Sequence, residues 1–213
     1  MALIGRSTVI VPVGISCQTA FQIDRAKPML EVELGEPLEH FATPFDWRIV
    51  GPGDLAGIIR DNAFYPATPS ELTGNRRPHW PARNCWFWHE KFDDFAKFTA
   101  KQAHLAWNWG RIFEAKRRIF VVSNTQNNLP KVQRERGGFH VLVDGADLRA
   151  LGDALRAVFG TIELHFVTGA VGYCGNVDRS WTVHGLQPDR SQWHGDPKQW
   201  EVVLKRAARG ATA

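Results

Sequence analysis

Runs of apolar residues along the chain fall into two alternating kinds. Ser7–Ile15, STVIVPVGI, is rich in β-branched residues and almost continuously apolar. That is the pattern of a strand covered on both faces, as in a parallel sheet. Helix-compatible residues follow from Gln18 to Ala26, so Cys17 falls where a strand gives way to a helix. Residues 27–52 hold Pro28, Pro37, Pro44 and Pro52 and read as a loop. Asp54 is placed to cap a short helix reaching about Asn62.

From Phe92 the spacing turns helical: Phe92, Phe95, Phe98, Leu105, Trp109, Ile112, Phe113. Lys116-Arg117-Arg118 would close that helix, where cations suit the negative dipole end. Ile119–Ser123 is a second buried strand, and Asn124–Pro130 is a polar loop after it. Phe139–Val143 reads as a short strand and Ala146–Phe159 as an amphipathic helix stopped by Gly160. Ile162–Thr168 is another strand. Asp196 and Pro197 are the cap and first position of a helix reaching Ala208. Strand and helix alternation predicts a single α/β domain over residues 1–213, with a mainly parallel sheet between two helical layers. Residues 65–84, with four prolines, read as a flap or insertion, and 209–213 as a flexible tail. Ligands of such sheets bind at the carboxyl ends of strands. Cys17, Asn124 and the Gly169–Gly175 run all follow strands on that edge.

Composition narrows the classes. Hydrophobic residues make up 44% and charged residues 23%, which excludes a disordered or fibrous chain. No apolar run approaches the ~20 residues of a membrane span, so no membrane partner is expected. Charge is uneven, at −3 over residues 1–70 and +7 over 71–213. The basic part would attract phosphates or an anionic polymer, or is simply a solvated surface. It lacks the basic blocks with interleaved aromatics of nucleic-acid binders. Nine Trp against two Tyr point to loop anchoring or to a stacking surface for a planar ligand. Cys17, Cys85 and Cys174 form neither a disulfide framework nor a zinc-type pair. Together with a short apolar start broken by Pro12 and without a cleavage site, this reads as a cytoplasmic protein.

Cys17 is the first candidate for chemistry. A helix N-terminus lowers a thiol pKa, and the free N–H groups of Gln18 and Thr19 would receive an oxyanion. Gly14 permits the tight turn of a strand-to-helix elbow. The alternative is a small buried hydrophobe. A thiol nucleophile needs a base. His89, His140, His165, His184 and His194 are all available, and spacing does not choose among them. Cys85 and His89 could sit on one helix face, but nothing completes a metal site, and no metal is expected. Gly169–Gly175 lacks the ending of a phosphate loop and reads as a turn. Asp46 and Trp47 stand in Thr43-Pro44-Phe45-Asp46-Trp47, either a functional carboxylate in an aromatic bracket or a capping Asp in a packed turn. Trp193 and Trp200 would pack the final helix.

Taken in order, Val13-Gly14-Ile15-Ser16-Cys17-Gln18-Thr19-Ala20, Pro44-Phe45-Asp46-Trp47, Trp88-His89-Glu90-Lys91-Phe92 and Trp193-His194-Gly195-Asp196 resemble a bacterial family of papain-like cysteine peptidases. The likeness runs from about Val9 to Leu204. The family's His-Asp-Phe element reads His89-Glu90-Lys91-Phe92 here. The resemblance implies Cys17 as nucleophile, His89 as base and Asp46 as an orienting or structural group. The same elements are similar to capsule-polysaccharide acetyltransferase-like proteins, which implies a coenzyme A-dependent acyl transfer to a sugar. The expectation is therefore a Cys–His hydrolase acting on an acyl group of a small-molecule, peptide or glycan substrate, without a cofactor. Gln18, Thr19, Asn124 and Trp47 would bind the substrate or oxyanion. The alternatives are the coenzyme A-dependent transferase and a non-catalytic Trp-rich module that binds a glycan or nucleotide.

Overall fold

A computed structural model describes residues 7–136, 143–169, 177, 179–189 and 191–210. Strand β1 (Thr8–Pro12) is buried throughout, as its unbroken apolarity requires. It leads into α1 (Gln18–Leu34). This helix runs a full two turns beyond the sequence expectation, straight through Pro28. Pro28 is exposed, so the carbonyl it deprives of a partner faces water, while Ile23, Ala26 and Leu30 stay buried on the other side. Packing of that face outweighs the proline. Gly35 ends the helix in the left-handed conformation.

Strand β2 (Leu38–Glu39) follows, then α2 (Pro52–Arg60), which has Gly51 at its cap and carries Asp54 inside the first turn rather than at the cap. Residues 65–84 form local secondary structure. They hold two 3₁₀ turns and β3 (His79–Trp80), which pairs antiparallel with β4 (Cys85–Trp86). Helix α3 spans Phe95–Arg111, and the side chain of Asp94 accepts the Lys97 N–H at its start. Arg117 and Arg118 do not close α3. They open β5 (Arg117–Ser123), Arg117 reaching Glu163 and the carbonyls of Ala207 and Ala208. Then come α4 (Leu129–Arg136), α5 (Gly145–Phe159), β6 (Glu163–Thr168), β7 (Trp181–Gly185) and α6 (Pro197–Arg209). Arg209 is thus helical and pairs with Glu33, not part of a tail. The expected strand at 139–143 lies almost wholly outside the described residues, as do Cys174, His140 and most of the Gly169–Gly175 run.

The main sheet is β2-β1-β5-β6-β7, and every pairing is parallel. The fold is α/β, with a single sheet between two helical layers. Alternation along the strands sorts the core. Val9, Val11, Phe120, Val122, Leu164 and Phe166 face α2, α3 and α5. Ile10, Ile119, Val121 and Val167 face α1 and α6. Among the described residues no helix is long and apolar enough to cross a membrane.

Candidate functional site

Counted along the chain, the five sheet strands lie in the order 2-1-3-4-5. The direction of winding reverses between β1 and β5, and open α/β sheets take their ligands at the carboxyl edge beside such a point. Two segments meet there. One is the turn from β1 into α1, and the other is the loop that leaves β5 at Ser123. The Cys17 thiol donates to Gln126 Oε1 between these two segments, at 3.6 Å.

The turn that delivers Cys17 is strained. Gly14 has φ +65° and Ile15 has φ +62°. Left-handed backbone suits glycine and is costly for a β-branched residue. The strain is held by packing on both sides. The Ile15 N–H bonds Val50 O at 2.9 Å, and a Cβ on Gly14 would lie 2.8 Å from Leu55 Cδ2.

Around the thiol the polar side chains are tied together. Gln18 accepts from Thr125 Oγ1 at 2.7 Å and donates to Trp193 O at 3.0 Å. Thr125 Oγ1 lies 2.9 Å from Ser123 Oγ. Gln22 donates to His194 O at 2.5 Å, and Gln126 Nε2 donates to Asn128 Oδ1 at 2.6 Å. The Trp193–His194 segment is thereby pulled onto the first turns of α1. Phe21, one turn beyond Cys17, meets the rings of Trp193 and His194 at 5.2 and 5.3 Å. Ser16 Oγ, Thr19 Oγ1 and Trp200 Nε1 are buried without a hydrogen-bond partner among the described residues.

Cys17 is only 6% exposed, and burial pushes its thiol up to about 11. The dipole of α1 was expected to lower it. Desolvation outweighs the backbone hydrogen bond that favours the thiolate, and no cation among the described residues acts against it.

The remaining expected site residues divide. Gln18 joins Cys17 by its side-chain network, and the backbone N–H groups of Gln18 and Thr19 open α1 without intrahelical acceptors. Asn124 stands on the same loop, its N–H bonded to Val167 O at 3.2 Å, but the residue bonded to the thiol is Gln126. Sequence reasoning missed Gln126. The polar loop after β5 was legible, whereas the member aimed at the switch point is fixed only by the loop's turn.

Asp46 and His89 take other partners. Asp46 Oδ1 accepts from both the N–H (3.1 Å) and the hydroxyl of Thr43, which closes the turn. Burial raises its carboxyl to about 7 despite those bonds. Beside it Arg48 is fully buried. Its guanidinium lies 4.5 Å from the Phe87 ring and bonds Phe64 O at 2.6 Å and Gln102 Oε1 at 2.7 Å. These contacts make the Thr43–Arg48 segment a packed turn. His89 is exposed and stands edge-on to Trp47, with ring centres 5.3 Å apart. No hydrogen bond joins Cys17 to a histidine among the described residues. They also hold no group of three or more His, Cys, Asp and Glu side chains placed to share a metal ion.

Comparison with known proteins returns no matching family model, no matching curated protein and no matching solved structure.

Proposed function

We propose that the protein is a cysteine-nucleophile enzyme that attacks an acyl carbonyl at the β1–β5 switch point. The observation that carries this reading is Cys17 on its strained elbow, bonded at 3.6 Å to Gln126 on the loop after β5. A left-handed isoleucine is costly, and such strain collects at functional turns. Binding proceeds against the Gln18, Thr125 and Gln126 side chains. The N–H groups of Gln18 and Thr19 face the developing oxyanion at the start of α1. The bond to the leaving alcohol or thiol breaks as that group takes the proton removed from Cys17, and a water or an acceptor alcohol or amine then resolves the acyl-enzyme.

In this reading His194 takes the thiol proton. It is half-buried on α1, one turn from Cys17, and its Nδ1 lies 3.0 Å from Gly195 O. That contact fixes Nδ1 as the N–H and leaves Nε2 to accept. His89, which the family resemblance would make the base, keeps company with Trp47 instead. Catalytic hydrogen bonds often close only with substrate bound. The high thiol pKa is consistent with a sulfur that stays protonated until a base is brought up.

Acyl-enzyme trapping tests this. The protein, its Cys17→Ser form, and the His194→Gln and His89→Gln forms are incubated with activated esters and thioesters. Adducts are then located by peptide mass spectrometry. An adduct on Cys17 that slows in His194→Gln and persists in His89→Gln is the expected result. An ester turnover unchanged in Cys17→Ser would sink the reading.

A further inference from the structure

The basic half of the chain has a focus. Arg76, Arg77, Trp88, His89, Glu90 and Lys91 line an open hollow of about 520 Å³. That volume is within the usual ~300–1,000 Å³ of small-molecule sites. Two backbone segments build it. The Arg77 N–H bonds Glu90 O at 3.1 Å, and Arg76 stands opposite Lys91 in an antiparallel bridge.

Two features of this arrangement work against stability on their own. Like charges directly opposite one another in an antiparallel pair repel. Arg77 sits at φ +55°, a conformation unfavourable for any residue with a Cβ. The hollow's carboxylate, Glu90, is already held by Lys101 at 2.5 Å. Arg76, Arg77 and Lys91 have no salt bridge among the described residues. The Arg77 guanidinium lies 4.1 Å from the Trp88 ring, which orients it over the hollow wall. His89 feels the result: burial and then the Arg77 charge lower its pKa.

We propose that this hollow binds a phosphate-bearing small molecule with at least two negative charges. A multiply charged anion turns the repulsion between Arg76 and Lys91 into shared attraction. Guanidinium forks match phosphate oxygens in pairs. The proposal does not rest on Cys17.

Titration calorimetry at low salt tests it, with inorganic diphosphate and ADP as probes. Both are expected to bind saturably. The affinity should fall at least about tenfold in the Arg76→Ser/Lys91→Ser protein, and with added salt. Tighter ADP than diphosphate supports a site that also reads a ring, and equal affinities support one that reads the anion alone. Both side chains are exposed, and a thermal melt confirms that the double variant folds; Lys91→Gln alone, with a smaller loss, serves if it does not. The Cys17→Ser protein is expected to bind as the unaltered protein does, and loss there would overturn the placement. No saturable heat from either probe, an unchanged affinity in the double variant, or binding of an RNA oligonucleotide without binding of the small probes would each overturn the proposal.

Discussion

His165 Nδ1 and His184 Nε2 lie 2.9 Å apart on neighbouring strands, both buried on the face that α1 and α6 cover. Two imidazoles at that distance share one proton between them and have no room for a second. Burial, then the partner ring, lowers the His165 pKa to about 4, and burial followed by Arg206 lowers that of His184. The unfolded chain takes up protons from about pH 6.5 downward, while the folded chain resists. The stabilisation is complete above pH 6.5 and is lost as pH falls towards 4. The pair's share, read in urea unfolding as the difference between the protein and His165→Gln, should fall by roughly 3 kcal/mol between pH 7.5 and 4.5. The acid slope should flatten in His165→Gln. An equal slope in that variant would show that the pair does not titrate as described.

Asp46 works in the opposite sense. Its carboxyl is raised from 3.8 to about 7, so the folded protein holds a proton that the unfolded chain has released. Stability from this group is present at low pH and declines as pH rises through 7. Asp46→Asn keeps both bonds from Thr43 on Oδ1. The variant's stability relative to the parent should rise by roughly 2–3 kcal/mol between pH 5 and pH 8. A variant that loses stability at both pH values would mean that the carboxylate itself is required.

Cys17 should resist alkylation. With its thiol at about 11 against an ordinary 9.0, the thiolate fraction at pH 8 is smaller by roughly a hundredfold. In a Cys174→Ala background, with Cys85 also buried, iodoacetamide labelling should be slow at pH 8. It should accelerate steeply towards pH 10–11. Labelling as fast as that of a free thiol peptide would contradict the burial described.

Gly195 holds φ +77°, and a Cβ there would stand 2.9 Å from Gln18 Nε2 and 3.1 Å from Trp200 Nε1. Gly195→Ala should therefore strain the backbone and push Gln18 off Trp193 O. A cost of roughly 2 kcal/mol lowers Tm by about 4–8 °C. Acyl-enzyme formation should fall with it, since the same contact presses the His194 segment onto α1. An unchanged Tm would argue against the close approach.

The strands at Thr8, Ile119 and Glu163 were legible because continuous apolar residues leave no other placement. The α6 start was legible from Asp196-Pro197, which caps as written. Two readings failed for the same reason. Pro28 and the Arg117-Arg118 pair are local stop signals, and tertiary contacts overrode both: Leu30 is buried below the proline, and Arg117 is bound by Glu163. Of the site, Cys17 and its edge of the sheet were readable from the order of elements. Gln126 and the nearness of His194 were not. Both depend on contacts spanning more than a hundred residues, which no local pattern records.

The ties from Gln18 to Trp193 O and from Gln22 to His194 O join the first helix to the segment that introduces the last. During synthesis, β1 and α1 leave the ribosome long before those acceptors exist. Until Pro197–Arg209 has been made and docked, the two glutamines have nothing to hold and the wall beside Cys17 is missing. The corner around Cys17 is therefore a late product of folding, and a partly made chain carries its thiol without those surroundings.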